Sequence, residues 1–161
     1  MTNQQPTGNQ QLPATGNVAI YARVATQEKR TEKQTLPPHD LMRLAHELGY
    51  EDTHIFVFED NGKPGNSPID ERVGLATILH AITNGTMQAI LVADETRLFR
   101  GIDATELTNF IHVCIEHHAI IYTPVATYDF TNPVHVKQFR FNCEQAYQMI
   151  ARQVMQRTRS K

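Results

Sequence analysis

"NVAIYARVAT" (residues 17–26) decides how the rest of the chain is read. Its segment VAIYARV (18–24) is rich in β-branched and aromatic side chains and too short for a helix, so it predicts a buried strand. The strand closes on Arg23, a cation placed where a buried strand meets the loop beyond it and suited to facing something negative. Two residues on, where a reactive group would be expected, Ala25 offers only a methyl.

Outward from this strand the pattern alternates. PPHDLMRLAHELGY (37–50) reads as a helix started by prolines and ended by Gly49, with Leu41, Leu44, Ala45 and Leu48 toward the core. HIFVFED (54–60) is a second strand, and NGKPGNSP (61–68), with its Gly and Pro, is a loop. Asp70 is placed to cap a helix that runs to about Asn84 and stops at Gly85, its apolar stripe being Val73, Leu75, Ile78, Leu79 and Ile82. QAILVAD (88–94) predicts a third strand, and about Asp103 to His118 a helix burying Leu107, Phe110, Ile111 and Cys114. AIIYTPV (119–125) predicts a fourth strand, and the last helix runs from about Val134 toward Arg157.

Strands alternating with helices imply an α/β, three-layer fold: a mostly parallel sheet of four to five strands with helices on both faces and a long C-terminal helix. The chain divides into a tail at 1–16, whose Gln, Asn, Pro, Gly and Thr cannot offset the entropy of ordering, a core at 17–133 and the helix at 134–161. At 161 residues, 40% hydrophobic and 20% charged, the composition is that of one soluble globular domain. A net charge of −2 argues against a broadly basic surface while leaving room for a local basic site. Cys114 and Cys143 match no zinc or redox spacing and read as reduced thiols, and no signal peptide or membrane span is evident, so a cytoplasmic protein is expected.

In a parallel sheet the site lies beyond the carboxyl ends of the strands. Those ends carry Arg23 and Ala25, Glu59 and Asp60, Asp94 to Arg100, and Tyr122 to Tyr128. With Arg72 after the loop, Arg23, Arg97 and Arg100 would gather guanidiniums near one edge, where they repel one another unless they share an anion. Bidentate binding of phosphate oxygens is a task arginine performs better than lysine. The competing reading is ordinary ion pairing, with Asp60, Asp70, Glu71, Asp94 and Glu95 as partners. His112 and Glu116 have the i, i+4 spacing of a ligand pair, but nothing converges on them, so no metal is expected. NGKPGN (61–66) lacks the Lys-Ser/Thr ending of a phosphate loop.

YARVAT, EDNGKPG, ERVGLATIL and TRLFR, in that order, resemble the catalytic domain of the serine recombinases (the resolvase/invertase family), whose pattern is approximately Y-x-R-V-S-T, D-x-G-x-S-G, E-R-P-G-L and D-R-L-x-R. The resemblance covers residues 17 to about 130 and extends plausibly into the last helix. It implies a domain in which a serine hydroxyl attacks a DNA phosphodiester without cofactor or metal, within an oligomer built through the last helix. By the same resemblance Arg23, Arg72, Arg97 and Arg100 match the family's catalytic, phosphate-binding arginines and Asp60 its loop aspartate.

Ala25 stands at the position of the nucleophilic serine, and a methyl cannot attack phosphorus. Other positions depart too: Lys29 for a glutamine, Pro64 for the loop serine, Thr96 for the aspartate of D-R-L, and Ala146, Tyr147 and Gln153 at charged positions of the last helix. The leading expectation is a recombinase-family domain that engages DNA and self-associates, as a homodimer or higher oligomer, but does not cleave. An active site-specific recombinase carrying an engineered serine-to-alanine change and a non-catalytic partner of an active recombinase are the alternatives. The number of departures around one pocket favours natural loss.

Overall fold

The computed structural model describes residues 15–24, 38–62, 67–100 and 104–159. Within them the elements are β1 (Val18–Val24), α1 (Pro38–Glu47), β2 (Ile55–Asn61), α2 (Val73–Thr83), β3 (Ala89–Leu91), α3 (Ala104–Glu116), β4 (Ile120–Tyr122), β5 (Thr127–Asp129) and α4 (Pro133–Arg159). The sheet has five strands in the order β2-β1-β3-β4-β5. β2, β1, β3 and β4 run parallel, and β5 lies antiparallel on β4.

Side-chain alternation along β1 builds both layers of the core. Val18 and Ile20 face α1, where Leu41 and Ala45, with Tyr50 just beyond the helix, close over them. Ala19 and Tyr21 face the opposite layer with residues of α2, α3 and α4, among them Leu75, Phe110 and Phe139. That second layer is held by an aromatic cluster: Phe110 lies 5.0 Å from Phe99 and 6.3 Å from Phe139, and Phe139 lies 5.0 Å from Phe130, centroid to centroid. Such pairs each contribute about 0.5–1.5 kcal/mol beyond the area they bury. Phe139 thereby seats the first half of α4 against the sheet.

The helices form close to where the sequence places them. Leu107, Phe110, Ile111 and Cys114 are buried on α3, and Gly49 and Gly85 take the left-handed φ of 101° and 78° that ends α1 and α2. Burial pushes the Cys114 thiol up to about 12, so this cysteine is an inert core residue.

Four details differ from the sequence expectation. Asp70 does not cap α2: it sits in a 3-10 turn at Ile69–Glu71, and α2 starts later, at Val73. Val73, expected on the apolar stripe, is 70% exposed because it occupies the first helical turn, ahead of the packed face. The third strand is confined to Ala89–Leu91 because Asp94 turns the chain into a 3-10 turn at Glu95–Arg97. The fourth strand ends at Tyr122 rather than Val125. There the Thr123 hydroxyl accepts from the N–H groups of Val125 (3.3 Å) and Ala126 (3.0 Å), reversing the chain into β5. A reversal this short leaves no room for a crossover, which is why β5 is antiparallel.

The parallel strands deliver their carboxyl ends to one edge of the sheet. Arg23 stands opposite Asp60 in register, and β3 leads directly into Asp94–Arg100. Ala25, Thr26, Lys29, Pro64 and most of the tail lie outside the described residues, as do the side chains of Ala146, Tyr147, Met149, Ile150, Gln153 and Val154. No helix among the described residues is long and apolar enough to cross a membrane.

Candidate functional site at the carboxyl edge of the sheet

Tyr21, Arg23 and Asp60 share one face of the β1–β2 pair, because Tyr21 and Arg23 are two residues apart and Arg23 is in register with Asp60. Glu59, the neighbour of Asp60, is exposed on the other side, so the two carboxylates do not act as a pair.

Asp60 is 7% exposed and receives three donors. Its Oδ1 accepts from the Gly74 N–H at 2.7 Å, and its Oδ2 from the Leu75 N–H at 3.0 Å and the Tyr21 hydroxyl at 2.8 Å. The first-turn amides of α2, which Asp70 was expected to cap, are satisfied by an aspartate from a different strand. The carboxylate also sits at the positive end of the helix dipole. Gly74 makes this approach possible: a Cβ there would stand 3.0–3.1 Å from the carboxylate of Asp60. Burial, opposed by Arg72 and reinforced by Asp60, pushes the Tyr21 hydroxyl up to about 12, so it remains a donor at neutral pH.

Arg72 is completely buried. Its Nε and Nη2 donate to the Tyr21 oxygen at 3.3 and 3.1 Å, its Nη1 to the Leu98 carbonyl at 2.6 Å, and its Nη2 also to the Arg97 carbonyl at 2.8 Å. The guanidinium lies 5.6 Å from the Tyr21 ring centroid and 5.9 Å from that of Phe99, within cation–π range of both. A buried cation is tolerated when its donors are paired and its plane is covered, and both conditions are met here.

Arg23 is 3% exposed. It donates from Nε to the Arg97 carbonyl at 3.1 Å and from Nη2 to the Thr96 carbonyl at 2.9 Å. Arg97 returns the contact, its Nη1 donating to the Arg23 carbonyl at 3.2 Å, while its Nε stands 3.5 Å from Asp94 Oδ2. Burial first, then the positive charges of Arg72 and Arg97 and, more weakly, Arg100, push Arg23 down to about 10. Arg100 is half-buried beyond Arg97.

The structure therefore brings Arg23, Arg72, Arg97 and Asp60 together around the turn at Glu95–Arg97, with Arg100 close enough to act electrostatically on Arg23. The ion pairs that composition allowed are mostly absent among the described contacts. Asp94 pairs with Arg97, whereas Arg23 and Arg72 spend donors on backbone carbonyls and on Tyr21. Asp94 also accepts from Thr96, through its N–H at 2.9 Å and through its hydroxyl, which fixes the turn. The acid beside Arg97 is thus supplied two residues before the position where the D-R-L pattern has it. Tyr21 and Gly74 are site-building residues that sequence reasoning did not single out. The tyrosine was visible in YARV, but nothing in the sequence tells that its hydroxyl bridges Asp60 and Arg72.

Comparison with solved structures gives the same architecture. The N-terminal catalytic domain of TP901-1 integrase superposes with a TM-score of 0.58 at 18% identity, over 86% of this chain and 98% of that one. A resolvase family site-specific recombinase from Streptococcus pneumoniae superposes with a TM-score of 0.55 at 18% identity, over 91% of this chain and 97% of that one. The C-terminal catalytic domain of ISC1926 TnpA, an IS607-like serine recombinase, gives 0.54 at 20% identity over 68% of each chain. These likenesses are of fold. The family model described as "Resolvase, N terminal domain" matches residues 18–161, taking in β1 with Arg23, the arginine turn and all of α4. The chain therefore belongs to the resolvase N-terminal-domain family, the catalytic domain of the serine recombinases.

Proposed function

We propose that this chain is a serine-recombinase domain that holds the phosphate backbone of DNA without cutting it and that assembles through α4. The observation that carries the reading is the gathering of Arg23, Arg72, Arg97 and Arg100 at one sheet edge, where burial first and the neighbouring cations second push Arg23 down to about 10. A shared anion relieves that repulsion, and a phosphodiester is the anion the family handles. Arg97 and Arg100, the less buried members, are the first to meet it, and Arg23 and Arg72 form the layer behind. Asp60 serves that layer as a scaffold through α2 and Tyr21. With Ala25 at the nucleophile position, no hydroxyl is available there to form a phosphoserine link. Phosphate contacts position a duplex without reading its sequence, so target choice falls to a separate module or partner, an active recombinase being one candidate.

Assembly through α4 is supported by Val134, Phe141 and Met155, which are 66%, 57% and 61% exposed. They lie on the side of α4 away from Phe139 and Cys143, the residues that seat the helix on its own sheet.

The anion site is tested by thermal unfolding in sodium sulfate against sodium chloride at matched ionic strength. Binding stabilises by about 2.7 kcal/mol at a hundredfold excess over Kd, which for a domain of this size raises Tm by roughly 5–10 °C. Arg97→Ala is expected to remove most of the sulfate-specific shift. Equal Tm values in the two salts would overturn the anion-site reading.

A further inference from the structure

The turn that holds the arginines is itself held by α4, and one residue makes the connection. Glu95 is the first residue of that turn. Its Oε1 accepts from the Tyr128 hydroxyl at 2.6 Å, within the short range of a charge-assisted O–H···O bond. Tyr128, 1% exposed on β5, in turn accepts from Asn142 Nδ2 of α4 at 2.9 Å, and its ring meets Phe139 of α4 edge-on at 5.2 Å. The Glu95 carbonyl receives the Leu98 and Phe99 N–H groups at 3.1 and 3.2 Å and lies 3.9 Å from the Cys143 thiol of α4. Side chain and backbone of Glu95 are thus both seated on β5 and α4.

The next carbonyls along the chain hold the arginines. Thr96 takes Arg23, Arg97 takes Arg23 and Arg72, and Leu98 takes Arg72. The hydrogen bonds of the turn, from the Arg97 N–H to the Asp94 carbonyl and from the Leu98 and Phe99 N–H groups to the Glu95 carbonyl, tie these peptide units together, so the seat of Glu95 sets the aim of all three.

We propose that Glu95 is a positioning residue that ties α4 to the arginine cluster, so that the seat of α4 decides how tightly Arg23 and Arg72 are held in. The proposal rests on the reading of α4 as the assembly helix and of the arginines as the anion site. On that reading, assembly and anion binding are coupled through Glu95 and the coupling is reciprocal. Removing the Glu95–Tyr128 bond releases the turn, and with it the arginines, while the aromatic packing of α4 remains.

The test uses the full chain without DNA or sulfate, so that it can fail while the anion-site reading stands, and the reverse. Hydrogen exchange at the Nε–H groups of Arg23 and Arg72 is followed by 15N NMR under native conditions. Glu95→Ala and Tyr128→Phe are expected to speed exchange at both arginines by about tenfold, as local opening becomes easier. Glu95→Gln, whose side-chain carbonyl still accepts from Tyr128, is expected to stay within about twofold of the parent. Thr108→Ala removes a different tether of α4, the 2.9 Å bond from Arg140 Nη2 to the Thr108 hydroxyl, and serves as the control. Tyr128→Phe keeps the ring and decides the matter if Glu95→Ala fails to fold. Unchanged exchange in folded Tyr128→Phe, equal effects of Glu95→Gln and Glu95→Ala, or an equal effect of Thr108→Ala would each overturn the proposal.

Discussion

Arg72→Ala is expected to lose about 3–5 kcal/mol of stability, the cost of truncating a large buried side chain and leaving its acceptors unpaired. Its guanidinium is wholly buried and donates to the Tyr21 oxygen and to the carbonyls of Leu98 and Arg97. Truncation leaves these acceptors short of a donor in the core and opens a cavity against the Tyr21 and Phe99 rings. For a domain of this size that corresponds to a fall in Tm of roughly 10 °C or more. Arg72→Lys is expected to recover little, since a single ammonium cannot reach acceptors spread along the fork of a guanidinium. Urea unfolding of the three proteins checks this. A loss below about 1 kcal/mol, the range of a surface arginine, would contradict the buried network of Arg72.

Asp60→Ala is the second large effect, at about 2–4 kcal/mol. It removes a helix cap worth about 1 kcal/mol and leaves buried donors unpaired at about 1–3 kcal/mol. The donors concerned are the amides of Gly74 and Leu75 and the Tyr21 hydroxyl. Because α2 loses its cap specifically, amide exchange at Gly74 and Leu75 should accelerate beyond the global change. Asp60→Asn keeps one acceptor oxygen and should fall between the two. If Gly74 and Leu75 exchange no faster than the rest of α2, Asp60 is not its cap.

The two variants together show why only part of the site was legible in the sequence. Residue types at strand ends are legible, since a run such as VAIYARV fixes both the strand and the edge on which Arg23 emerges. What those side chains bond to is not. Arg23 and Arg72 hold backbone carbonyls, and every residue carries a carbonyl, so this partnership leaves no signature in the sequence. Composition offered only acidic partners, and among the described residues Asp94 takes that role with Arg97.

The cap of α2 failed for a related reason. Local rules look a few residues upstream and find Asp70, whereas the actual cap, Asp60, arrives from the end of β2, 14 residues before Gly74. The short strand β5 was invisible because Thr127, Tyr128 and Asp129 form no apolar run, unlike the equally short β3 and β4, and its direction is set by the reversal at Thr123. Glu95 carried no motif at all. Its partner Tyr128 lies 33 positions away and is itself bonded by Asn142 of α4, a contact made by the return of α4 over the sheet.

The departures from the family pattern acquire different meanings once the structure is considered. Thr96 is not a bare loss of an acid, because Asp94 bonds to Thr96 and pairs with Arg97 from two residues upstream. Ala25 has no such compensation in the chain's chemistry: its methyl cannot be made nucleophilic by any neighbour. On the proposed reading, a cluster of cations in a chain whose nucleophile position carries Ala25 holds a phosphodiester and does not open it.

The most direct test of that claim is to titrate the chain with duplex DNA over a range of salt and then denature the mixture to look for covalent adducts. The account predicts binding whose logarithm falls linearly with the logarithm of salt concentration, a shallower slope in Arg97→Ala and Arg100→Ala, and no DNA-linked protein after denaturation. Binding indifferent to both arginines, or an adduct formed by the chain with Ala25 in place, would contradict it.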